Sequence, residues 1–170
     1  MEKVRIVTIV TMSLVVMATC RFESYDIEEK AGTVTQIIHW LNDICGAEHD
    51  QITGTDWKTF NTHLKDGVML CVLINKLLEA DGKSLVPIQK GAKSPFFAVD
   101  NIKNFNKGCI DYGMAEELTF QTGDLLDLKK DKFINVLHCL HNLGLIANSK
   151  RNQLRYSGEM SNTTEMDYFA

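Results

Sequence analysis

Between Val68 and Leu78 the chain reads VMLCVLINKLL, a run that few folds could leave at a surface. At helical spacing Val68, Cys71, Leu73, Ile74, Leu77 and Leu78 make an apolar face wider than one stripe. A helix apolar over more than a narrow stripe is touched by neighbours on several sides, so the run predicts a buried central helix. Asp66 ahead of it is a candidate N-cap, its carboxylate accepting first-turn amide hydrogens, and Gly67 permits a tight entry. Gly82 can close the helix in a left-handed cap. Inside it Cys71 reads as a small hydrophobe, and a buried Asn75 would need a backbone or side-chain partner.

Other segments repeat the helical period. Val34, Ile37, Ile38, Leu41, Ile44 and Cys45 form an i, i+3, i+4, i+7 stripe with Thr33 as N-cap, Gly46 as stop and Trp40 completing the buried face. Thr55 or Asp56 caps a short segment carrying Trp57, Phe60 and Leu64. Ser94-Pro95 opens a helix carrying Phe97, Ile102, Phe105, Cys109 and Tyr112 and closing at Gly113. Thr122 caps a single turn around Leu125 and Leu126, and Phe133, Val136, Leu137, Leu140 and Leu143 repeat up to Gly144. No strand pattern or internal repeat interrupts this series. The expectation is one all-α domain over residues 32–147, four main helices plus short connecting ones around the central helix. Residues 1–31 are then an N-terminal extension and 148–170 a polar flexible tail.

Composition narrows the function. With 45% hydrophobic and 24% charged residues the chain belongs with globular proteins. Its net charge of -4 gives no electrostatic support to nucleic-acid binding. The apolar run Ile6–Ala18 is too short for a stable membrane span and fits the h-region of a secretory signal ending near Cys20 or Arg21; a helical extension of a cytosolic domain is the alternative. Cys45, Cys71, Cys109 and Cys139 sit in apolar helical patterns, as free buried thiols do, and no base is in place to activate one. His138 and His141 stand at i, i+3 without a third ligand, and neither DYGMAEEL nor DLLDLKKD keeps the spacing of a calcium loop. Phosphate loops, zinc motifs and nucleophile elbows are absent. We expect no catalysis, no metal and no cofactor.

The polar residues are better suited to binding a protein. Residues 32–147 hold eleven lysines and fourteen acidic residues but no arginine, which disfavours bidentate phosphate or carboxylate recognition. Lys103 and Lys107 share one helix face, and Lys129, Lys130 and Lys132 crowd the start of the last helix. Cations there oppose the helix dipole, so they mark a candidate protein-binding patch unless Asp127 and Asp131 offset them.

In their order, IIHWLNDI, LKDGVMLCVLINKL, NIKNFNKGCIDYGM and FQTGDLLDLKKDKFINVLHCLHNLG resemble a calponin-homology domain, closest to the single-domain type of calponins and transgelins. The resemblance implies an all-α fold with Trp40, Leu70, Leu73, Ile74, Phe105, Leu125 and Leu137 at core positions. It puts Asp66 and Gly67 on the family's DG pair and Asn75 on its helix asparagine. It further implies a non-enzymatic, cytoplasmic, cytoskeleton-associated protein whose partner is F-actin or an actin-associated protein. The other role such single domains take is that of an adaptor for a signalling or scaffold protein.

Overall fold

The structure is a computed structural model that describes residues 22–90, 94–150 and 154–158. The candidate signal run and its boundary at Cys20 and Arg21 lie outside the described residues, as do Lys93 and most of the tail. Among the described residues there are seven α-helices and no strand. They are α1 (Tyr25–Ala31), α2 (Thr33–Cys45), α3 (Trp57–Leu64), α4 (Val68–Ala80), α5 (Pro95–Tyr112), α6 (Thr122–Leu126) and α7 (Lys130–Ser149), with a 3-10 turn at Glu116–Leu118. Four of them, α2, α4, α5 and α7, are long; the rest connect them. The chain is therefore all-α, with α4 at its centre.

Local chemistry sets most boundaries. Asp56 caps α3, its carboxylate accepting the Thr59 N–H at 3.0 Å, and Ser94 accepts the Phe96 N–H at 3.3 Å at the start of α5. Thr33 is the first residue of α2 and not its cap: Gly32, at φ 87°, ends α1 and begins α2. The Thr33 hydroxyl is instead donated to Glu28 at 2.8 Å. Likewise Gln121, and not Thr122, caps α6, its N–H donated to Asp124 at 2.8 Å. At the head of α4 Gly67 takes the cap position with φ 72°, and Asp66 just before it accepts the Val68 N–H at 2.9 Å. Gly67 is required twice over, because a Cβ there would lie 2.6 Å from Asn101 Cβ on α5.

Helix α4 buries Met69, Leu70, Cys71, Val72, Leu73, Ile74, Leu77 and Leu78 against α2, α3 and α5. Leu70, Leu73, Ile74, Phe105, Leu125 and Leu137 have no exposed surface, and Trp40 keeps 2%. Each such aliphatic side chain contributes about 1.5–3 kcal/mol by leaving water. Non-helical segments cover what the helices leave open, and asparagines fasten them. Asn75 Nδ2 donates to the Val86 carbonyl at 2.9 Å while its Oδ1 accepts the Val86 N–H at 2.8 Å. Asn42 makes the same exchange with Ile52, at 2.9 Å both ways. Asn101 accepts the Gln89 N–H at 2.8 Å and donates to the Gln89 and Asp66 carbonyls. This answers what Asn75 does inside an apolar helix: it pins Val86 over the core.

The last helix runs past Gly144 to Ser149. The glycine is a seat and no stop, since a Cβ there would overlap the Tyr156 ring. Tyr156, in the segment expected to be mobile, is buried at 3% exposure. Its N–H is donated to Asn148 at 2.7 Å, its carbonyl accepts from Asn148 at 2.5 Å, and its hydroxyl lies 2.9 Å from His141 Nδ1. Trp40 Nε1 donates to the Leu154 carbonyl beside it at 3.3 Å.

Two predictions follow from these contacts. Asn75→Ala strips both partners from Val86 and should cost about 1–3 kcal/mol in urea unfolding; an unchanged midpoint would refute the pinning role. Burial, with His138 nearby, lowers the His141 pKa from 6.5 to about 4. The unfolded chain then binds the extra proton first, so stability falls as pH drops from about 6.5 towards 4. His141→Gln should flatten that part of the profile relative to the unmodified protein.

Candidate interaction surface

The lysines at the head of α7 do not form one free cationic group. Lys130 is ion-paired with Asp26 on α1, and Lys132 with Asp127 at 2.5 Å. The Lys132 ammonium, hydrogen-bonded to Asp127, holds that carboxyl below its usual range, and the carboxylate raises the lysine in turn. Lys129, at the cap position of α7, is exposed and has no ion pair among the described residues. On α5 Lys107 pairs with Asp111 at 2.7 Å, one turn along, while the exposed Lys103 has no such partner among the described residues.

Beside Lys129 stands a feature the lysine pattern did not signal. Leu128 has φ 51°, the one non-glycine residue with positive φ among those described, and its side chain is 54% exposed. A left-handed leucine costs roughly 1–2 kcal/mol. The Lys130–Asp26 pair ties α1 to the start of α7. The result is an exposed leucine beside an exposed lysine, Lys129, that has no ion pair among the described residues, at the passage from α6 to α7.

Helix α1 holds one side of this corner and lay within the expected extension. Tyr25 anchors it, buried at 2% exposure, with its hydroxyl donated to the Thr55 carbonyl at 2.6 Å and its ring 5.8 Å from Phe133. A sequence signal for it exists: Ser24 accepts the Ile27 N–H, Asp26 and Glu28 fill the first turn, Lys30 the last, and Gly32 closes it. Seven residues with one core anchor leave too short a stripe for periodicity to register.

Among the described residues no group of three or more His, Cys, Asp and Glu side chains could hold a metal ion. No described helix is long and apolar enough to cross a membrane. Cys45, Cys71, Cys109 and Cys139 are free and buried, and burial pushes the Cys45 and Cys71 thiols up to about 12.

The fold and this surface define an all-α module that presents side chains from helix junctions. Residues 32–149 match the family model described as the calponin homology (CH) domain, and the chain belongs to that family. It is 43% identical to "Transgelin" of Saccharomyces cerevisiae over 88 residues, 51% of this chain and 43% of that protein. It is 37% identical to "Muscle-specific protein 20" of Drosophila melanogaster over 87 residues, 51% of this chain and 44% of that one. With "Calponin-2" of Mus musculus it shares 30% identity over 103 residues, 61% of this chain and 29% of the relative. The chain thus covers less than half the length of these relatives.

The buried thiols give a further check. In the native protein Cys45, Cys71, Cys109 and Cys139 should react with a thiol-specific chromogen only as fast as the fold opens, and promptly in denaturant. Rapid native labelling of Cys71, located by mass spectrometry, would overturn its reading as a buried, unreactive thiol.

Proposed function

We propose that this chain is a non-enzymatic, cytoplasmic, cytoskeleton-associated protein that binds or regulates actin filaments through its calponin-homology domain. Membership of the family and similarity to transgelin and calponin support this reading. The observation that carries it to particular residues is the α6–α7 corner. There a strained, exposed Leu128 adjoins Lys129, whose ammonium is not consumed by an ion pair among the described residues. Lys130 and Lys132 border the contact and shape it through Asp26 and Asp127. Lys103 and Lys107 on α5 supply a second, weaker cationic face.

Cosedimentation with F-actin tests this. A fraction of the protein should pellet, and that fraction should fall with added salt, since an exposed ammonium is screened. Lys129→Glu should reduce it, and replacing Lys129, Lys130 and Lys132 together with glutamate should reduce it further. Leu128→Gly removes the side chain and adopts positive φ without the Cβ clash, so it should lower pelleting without lowering stability. Pelleting no greater than that of an inert control would overturn the reading.

A further inference from the structure

A second surface is formed by α7 with the 3-10 turn and the start of α6. A groove of about 930 Å³ runs between α7 and the 3-10 turn, floored by Leu118, Ile134, Leu145 and Ile146, with Phe22 along one side. Its formally charged lining residues are Glu117 and Asp124; no described lysine or arginine lines it. On α7 the stripe of lining residues Ile134, His138, Asn142, Leu145 and Ser149 recurs at spacings of four, four, three and four residues. From Ile134 to Ser149 this stripe extends about 22 Å.

That shape and charge select one mode of occupancy. No strand exists among the described residues, so no sheet edge is available there to accept an extended peptide. A proline-rich helix docks on aromatic side chains, and the groove's aromatic, Phe22, already packs on His138 at 5.5 Å and His141 at 5.1 Å. What remains is a long apolar trough parallel to a helix, built from i, i+3 and i+4 side chains, into which the ridges of a second helix fit. We infer that this groove docks a basic amphipathic helix of about four turns from a partner protein. Its apolar stripe would seat on Ile134, Leu145 and Leu118, and its flanking lysines or arginines would face Glu117 and Asp124. This surface is separate from the Leu128–Lys129 corner and opposite to it in charge, so it serves a different partner from an actin filament.

The test uses the full chain and two synthetic labelled peptides of about four helical turns. Both carry leucines at i, i+3, i+4 and i+7; one has lysines on its flanks, the other glutamates. Fluorescence anisotropy should show the lysine peptide binding at least about tenfold more tightly than its glutamate twin. Glu117→Lys, an exposed substitution that leaves the core untouched, should remove most of that preference. Ile134→Glu should abolish binding of both, with circular dichroism confirming that the variant is folded. Equal binding of the two peptides, indifference to Glu117→Lys, or no binding at all would overturn the inference.

Discussion

A helix that is apolar on several sides has to be covered on several sides, and a chain of this length lacks the helices to do so alone. The loops that finish the cover carry backbone N–H and C=O groups towards the core, where each needs a partner. Asparagine solves this because its amide offers one acceptor and one donor in the geometry of a peptide group. Asn42 with Ile52, Asn75 with Val86 and Asn101 with Gln89 reproduce the reciprocal bonding of paired backbones, without any strand. Asn148 repeats the exchange with Tyr156. Asn61 and Asn106 support the α6 region through the Leu125 and Phe120 carbonyls at 3.0 and 2.7 Å. Remove these pairs and the apolar face of α4 has no stable roof.

How much of this could be read in advance depends on the range of the interaction involved. The long stripes of α2, α4, α5 and α7 were legible because each repeats its signal over three or more turns. Trp40, Leu73, Phe105 and Leu137 are buried where such stripes place them. Caps were less legible, since adjacent residues compete for one position: Thr33 lost to Gly32 once Glu28 took its hydroxyl, a contact made five residues upstream. Asn75 was visible as an anomaly, but its partner lies in a loop whose path no local pattern specifies. Gly144 looked like a stop because its actual reason, the ring of Tyr156, arrives from a segment with no periodicity.

The candidate surface was legible only in part, for an electrostatic reason. Sequence counts lysines; it does not show which of them meet a carboxylate in space. Asp127 is close enough in the chain for its pairing with Lys132 to be suspected, whereas Asp26 reaches Lys130 only because α1 folds back onto α7. Of the expected triple of cations two are paired with carboxylates, and Lys129 alone has no ion pair among the described residues. These pairs offset two of the lysine charges and leave Lys129 as the exposed lysine of the group without an ion pair among the described residues. Leu128, whose signal is a dihedral angle, could not have been found at all.

Helix α7 concentrates these roles because it is long and only partly covered. Phe133, Val136, Leu137, Leu140 and Leu143 face the core, Lys129 and Leu128 mark its entry, and Ile134 and Leu145 line its outer flank. The segment VMLCVLINKLL, by contrast, has almost nothing left to show a partner: its thiol is buried and its asparagine is occupied. A domain built this way separates the two tasks by element. The central helix can change only with the loss of the fold, whereas the corner and groove of α7 can change their charge at Lys129 or Glu117 without disturbing a buried atom.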